Sequence, residues 1–151
     1  MKIIKIGFIG LGNVGSKLAG SLLRNGLDLT VRDLKPEIAE PLVAKGAKWG
    51  KSPRSMMEDS DMLITCLPNP AVSTKVMEDE DGILKGISHG KVWAEMSTTD
   101  EMEVKRLGKL VKKFGGEPVD CPVSGGCHRA ATGNISIFVG GERSTFEKIL
   151  P

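Results

Sequence analysis

Gly7-Phe8-Ile9-Gly10-Leu11-Gly12-Asn13-Val14-Gly15 joins an apolar run to an amphipathic one. Lys2 to Ile9 reads as a buried strand, and Asn13 to Arg24 as a helix that ends at Asn25-Gly26, where glycine supplies a left-handed cap. A strand that passes through GxGxxG into a helix is the signature of a dinucleotide-binding turn. Gly10 permits the tight turn, Gly12 lets a pyrophosphate approach the backbone, and Gly15 lets the helix pack close to the strand. The helix N-terminus adds free N–H groups for the phosphates. Gly10, Leu11, Gly12, Asn13, Val14 and Gly15 are therefore the candidate phosphate-binding residues. Asp33 stands 18 positions after Gly15, at the end of the next predicted strand, where a ribose-binding acid belongs.

Asp33 also bears on cofactor choice. A carboxylate accepts hydrogen bonds from both ribose hydroxyls and repels the 2′-phosphate of NADP, so NAD is the expected cofactor. NADP stays open as the alternative, because Lys35 can approach a phosphate from the loop. Arg32 is expected to point away, since side chains alternate along a strand.

Outward from this turn, strand and helix alternate. Leu29 to Asp33 is a predicted strand, Pro36 to Lys45 a helix capped by Gly46, Ala47 to Trp49 a short strand, and Ser52-Pro53 the start of another helix. Strands follow at Asp61 to Leu67, Lys91 to Glu95 and Glu117 to Cys121, separated by helices at Ala71 to Met77 and Thr99 to Phe114. Such alternation predicts an α/β fold with a doubly wound, mainly parallel Rossmann-type sheet. After Cys121 the rhythm changes: Pro122 to Gly126 reads as a loop, Cys127 to Thr132 as a helical turn, Ile135 to Val139 as a strand, and Ser144 as the N-cap of a helix from Thr145 to Leu150. A single domain over residues 1–151 is expected, with no linker or repeat.

Composition narrows the function classes. The 151 residues carry 21 Lys+Arg against 19 Asp+Glu, a formal net charge of +2. Interleaved charges without a basic surplus argue against nucleic-acid binding. Glycine supplies 19 residues, well above the average usage of about 7%; the surplus marks backbone turns. Three cysteines (Cys66, Cys121, Cys127) make no disulfide framework, and no second CxxC or HxxxH completes a metal set beside Cys121, Cys127 and His128. Gly7, Gly10, Gly12 and Asn13 interrupt what could otherwise imitate a signal peptide, and no stretch approaches the roughly 18 apolar residues of a membrane span. A cytoplasmic protein with no metal, membrane or nucleic-acid partner is expected.

Four blocks resemble the β-hydroxyacid dehydrogenase family, which includes 3-hydroxyisobutyrate dehydrogenase, tartronate semialdehyde reductase and the glyoxylate/succinic semialdehyde reductases, with 6-phosphogluconate dehydrogenase more distant. GFIGLGNVG (Gly7 to Gly15) is similar to the family's GFIGLGxMG, with Val14 for Met. LPNP (Leu67 to Pro70) and EMSTTD (Glu95 to Asp100) resemble its LP and DMST turns, with Glu95 for Asp and with Val72 where some members carry Asn. DCPVSGG (Asp120 to Gly126) followed by GNISIFVGG (Gly133 to Gly141) resembles DAPVSGG and GTLTIMVGG.

The resemblance implies that Leu67, Pro68 and Thr98 contact the cofactor and that Ser124, Gly125 and Gly126 anchor a substrate carboxylate. From composition alone, Ser-Gly-Gly reads as a flexible turn; Arg129 reads as a solvated loop charge, and His89 has no catalytic role. The implied reaction is reversible hydride transfer between a nicotinamide cofactor and a small anionic hydroxyacid or semialdehyde. It further implies an all-α C-terminal domain beyond residue 151 that carries the catalytic Lys, and a homo-oligomer at full length. No catalytic residue is assigned to this chain, which is expected to bind cofactor without efficient turnover. A reading from another class is a non-catalytic NAD(H)-binding sensor or structural module.

Overall fold

The computed structural model describes residues 5–150. The start of the first predicted strand and the terminal Pro151 lie outside them. In chain order the elements are β1 (Lys5–Ile9), α1 (Gly15–Arg24), β2 (Asp28–Arg32), α2 (Pro36–Val43), β3 (Lys48–Trp49), α3 (Pro53–Asp59), β4 (Met62–Thr65), α4 (Pro70–Glu78), α5 (Ile83–Gly86), β5 (Val92–Glu95), α6 (Glu101–Lys113), β6 (Glu117–Asp120), β7 (Val123–Ser124), α7 (Gly126–Thr132), β8 (Ser136–Ile137), β9 (Gly140–Gly141) and α8 (Arg143–Ile149).

Seven strands form the main sheet in the order β3-β2-β1-β4-β5-β6-β9, all parallel except β9, which runs antiparallel to β6. Alternate residues of each central strand enter opposite cores. Phe8, Val31, Ile64 and Ala94 pack with α1, α2 and α7 on one face, and Ile9, Leu63 and Trp93 with α3 to α6 on the other. Trp93 is fully buried and donates its indole N–H to Thr65 Oγ1 at 2.9 Å, which removes the cost of burying that donor. Each large aliphatic or aromatic side chain in these layers contributes about 1.5–3 kcal/mol of transfer free energy. This is the predicted doubly wound sheet, with helices on both faces.

The helices begin where the chain provides caps. The Ser52 hydroxyl accepts from the Ser55 amide and the Ser52 amide donates to the Ser55 hydroxyl in return; Asn69 accepts from the Val72 amide and Asp100 from the Glu103 amide. Lys91 stitches the far end of α3 to β5 by donating its ammonium to the carbonyls of Met57, Glu58 and Ser60.

The chain after Cys121 departs from expectation. The predicted loop at Pro122 to Gly126 contains β7, and the predicted strand at Ile135 to Val139 shortens to β8. That strand pairs antiparallel with β7 in a separate two-stranded ribbon, with Ser124 opposite Ser136, while β9 begins only at Gly140 and closes the main sheet. Ser144 is not an N-cap: α8 starts two residues earlier than predicted, at Arg143 after the N-cap Glu142, because the chain turns as soon as it leaves its pairing with β6 at Gly141. Thr145 then lies against β6, its hydroxyl donating to Glu117 Oε2 at 2.9 Å, and Lys148 completes the tie to Glu117 at 2.6 Å.

Candidate functional site

Parallel register brings the carboxyl ends of the strands to one edge. Arg32, Ile9, Thr65, Glu95 and Asp120 are successive cross-strand partners. The residues that follow them, namely Asp33, Gly10, Cys66-Leu67, Met96 to Thr98 and Cys121, therefore leave the sheet side by side. The strand order reverses between β1 and β4, which is where a doubly wound sheet opens its ligand crevice.

Two turns form the walls of that crevice. Gly10 has φ +100°, and a Cβ there would run into the carbonyl oxygen of Cys66; a Cβ on Gly15 would strike the carbonyl oxygen of Gly10. The chain's own atoms thus require glycine at both positions. Gly12 is different: it is exposed, its φ lies outside the left-handed region, and a Cβ there would meet nothing within 4 Å. Its bare backbone faces open space at the positive end of α1. Among the described residues the amides of Gly12, Asn13 and Val14 have no backbone acceptor, as the first turn of a helix leaves them. Exposed, unpaired N–H groups under a residue without a side chain fit a pyrophosphate.

Asp33, the predicted end of its strand, lies just past β2, which ends one residue earlier at Arg32, and is half-buried. Its Oδ2 accepts from the Leu11 amide at 2.8 Å and its Oδ1 from the Lys35 amide at 3.3 Å. The carboxylate is thereby fixed beside the glycine turn, with lone pairs left for hydroxyl donors. Arg32 points the other way, as alternation predicts. Its guanidinium donates to the carbonyls of Gly50 and Lys51 at 2.8 and 2.6 Å and stacks over the Trp49 ring at 5.4 Å. Leu11 contributes backbone alone, since its side chain is in the core, and Val14 packs against the same core.

On the opposite wall, the Leu67 amide donates to Ser97 Oγ at 2.7 Å, and Ser97 donates from both its amide, at 2.8 Å, and its hydroxyl to Glu95 Oε1. Pro68 and Thr98 are exposed at the edge. Glu95 is fully buried, and burial pushes its carboxyl above the usual range, reinforced by Asp120 and opposed by the Ser97 donors and the Thr65 hydroxyl. Burial likewise pushes the Cys66 thiol up to about 11 and the Cys121 thiol up to about 12; both are poor nucleophiles at neutral pH.

Ser124 is exposed on the β7–β8 ribbon, outside the main sheet, and leads into Gly125 (φ +135°) and Gly126 (φ +74°) at the start of α7. The ribbon is held toward α1 through α7: Ala130 is buried in the α1-side core, and Arg24 donates to the Ala131 carbonyl.

The glycine turn and Asp33 were legible as a motif, whereas Ser97 was passed over in favour of Thr98. The signal that could have found it was its place two residues after an acid at a strand end, where a hydroxyl can fold back onto the carboxyl.

Residues 5–151 match the family described as the NAD binding domain of 6-phosphogluconate dehydrogenase. The chain belongs to this family. It is 37% identical over 141 residues to mitochondrial 3-hydroxyisobutyrate dehydrogenase of Rattus norvegicus, covering 93% of the chain and 42% of the relative. It is 36% identical over 148 residues to 2-hydroxy-3-oxopropionate reductase of Escherichia coli K12, covering 98% and 50%. The solved structure of Psf3 in complex with NADP+ and 2-OPP superposes with a TM-score of 0.93 at 26% identity, over 97% of this chain and 52% of that one. This NAD-binding domain thus spans about half the length of the curated relatives it matches. Those relatives are named dehydrogenases and reductases of small hydroxyacids, in agreement with the resemblance carried by the four sequence blocks. Among the described residues no helix is long and apolar enough to cross a membrane.

Proposed function

We propose that the β1/β4 crevice binds NAD(H) and that the domain serves an oxidoreductase acting on a small β-hydroxyacid or its semialdehyde. The observation that carries this reading is Gly12, a glycine that nothing inside the protein requires, set over unpaired amides at the head of α1. In this reading the amides of Gly12 to Gly15 hold the pyrophosphate and Asp33 accepts from the adenosine ribose. Leu67, Pro68 and Thr98 line the nicotinamide end, and Ser124 with the Gly125 and Gly126 backbone holds the substrate carboxylate. The bound cofactor supplies or accepts the hydride. The protein fixes its orientation and excludes water from one side.

Asp33 favours NAD over NADP, because a fixed carboxylate repels a 2′-phosphate and Arg32 is engaged away from the crevice. The free thiols suit a reducing compartment such as the cytoplasm. Proton transfer typically contributes about 10²- to 10⁴-fold to such reactions. None of the residues assigned here performs it, so turnover by this chain alone is expected to be poor. Fluorescence titration tests the proposal: NADH should bind at least about tenfold more tightly than NADPH, and Asp33→Asn should narrow that ratio. Tighter binding of NADPH would overturn the cofactor assignment, and brisk NADH-dependent reduction of succinic semialdehyde would overturn the expectation of poor turnover.

A further inference from the structure

Glu95 is more deeply placed than its neighbours on the crevice edge require. It ends β5 with 0% exposure, flanked in register by Thr65 of β4 and Asp120 of β6. Its Oε1 receives both donors of Ser97, whose Oγ in turn receives the Leu67 amide. Its Oε2 is buried with no hydrogen-bond partner. The groups that face it are the Thr65 hydroxyl and Cys66 from β4, Ser97 from its own exit loop, and Asp120 and Cys121 from β6, with Glu101 of α6 acting on Asp120. No cation is among them.

This geometry sets the charge state. An ionised Glu95 would place a buried charge next to a second carboxyl, with Oε2 lacking a hydrogen-bond partner and only the Ser97 donors and the Thr65 hydroxyl working against that cost. The charge can be solvated only if the carboxyl turns toward water, which means leaving Ser97. A neutral carboxyl has no such requirement and keeps Oε1 as a double acceptor. The hydrogen-bond chain then runs from Glu95 through Ser97 to the Leu67 amide. The Leu67 side chain in turn packs close to the glycine turn, where a Cβ on Gly10 would lie 3.1 Å from Leu67 Cδ2. Two exit turns separated by 30 residues in sequence are held together through one hydroxyl.

We propose that Glu95 is a positioning residue for the cofactor edge: its protonated carboxyl holds Ser97, and through Ser97 the Leu67 turn, at the spacing that the nicotinamide end of the cofactor needs. Loss of that proton as pH rises releases the turn and weakens NADH binding. The proposal rests on the assignment of the β1/β4 crevice to the cofactor.

The test is an NADH titration of this chain from the ordinary carboxyl range up to mildly alkaline pH. Wild-type affinity should fall with rising pH. Glu95→Gln, an isostere of the protonated acid, should match wild type at the low end and stay flat. Ser97→Ala, which cuts the chain of bonds, should bind about tenfold more weakly than wild type at the low end and stay flat, so that the two profiles converge as pH rises. Asp120→Asn, which removes the repelling neighbour, should shift the wild-type decline to lower pH. A protonated-carboxyl stretch at neutral pH should be present in difference infrared spectra of wild type and missing in Glu95→Gln; if that variant fails to fold, the Asp120→Asn shift and the wild-type band with its pH dependence decide. Parallel profiles for wild type and Glu95→Gln, a flat wild-type profile, or no protonated band would overturn the role of Glu95 and leave cofactor binding standing. Absence of NADH binding by wild type at every pH would overturn both.

Discussion

Gly10 and Gly12 lie two residues apart in one turn and answer to different constraints. Gly10 holds a positive φ against the Cys66 carbonyl, so Gly10→Ala should destabilise the fold by roughly 1–3 kcal/mol or more, read as a lower thermal midpoint. Gly12→Ala meets no protein atom; its thermal midpoint should match wild type while NADH affinity drops about tenfold or more. The pair separates what the polypeptide needs from what the ligand needs, and a stability loss at Gly12 equal to that at Gly10 would contradict the assignment. The motif was readable at this scale because its residue types are rare and closely spaced. Glu95 was not: its significance comes from register with Thr65 and Asp120 and from an unpartnered oxygen, neither of which leaves a trace in local sequence.

At the scale of elements, α4 and α6 are joined by Glu103, which accepts from the Thr74 hydroxyl and pairs with Arg106, itself bonded to Glu78. The Arg106 hydrogen bonds, followed by that from Thr74, hold the Glu103 carboxyl down at about 2. A folded-state pKa below the unfolded one gives stability that is present above the ordinary glutamate range and is lost as pH falls toward that value. Glu103→Gln should therefore be less stable than wild type at neutral pH, with the difference closing on acidification; urea unfolding at several pH values measures it. Strand and helix alternation was legible through β6 because each element carries its own periodicity and caps. Three short pieces escaped. α5 is four residues long and follows the acidic run Glu78 to Asp81, which masks it. β7 and β9 have two residues each and exist through pairing, β7 with β8 and β9 with β6, so neither the predicted loop at Pro122 to Gly126 nor the Gly140-Gly141 pair signals a strand by itself.

In the molecule as a whole, the end of the run from Ile135 to Val139 leaves an apolar strip. Ile137, Phe138 and Val139 are 45%, 62% and 40% exposed, contiguous along the chain from the end of β8 to the start of β9. Contiguous exposed apolar residues favour association, so the chain is expected to self-associate with rising concentration, and Phe138→Ser should shift it toward monomer in sedimentation velocity without weakening NADH binding. The manner of that association follows from the rims of the main sheet. Each rim strand, β3 on one side and β9 on the other, is two residues long, and β9 consists of Gly140 and Gly141. Such stubs offer almost no unpaired ladder for a foreign strand to extend, and short rims are one of the ways proteins avoid growing sheets from chain to chain. Contacts between copies should accordingly be made by side chains and be reversed by dilution, while fibrous, sheet-continuing aggregates should require unfolding first.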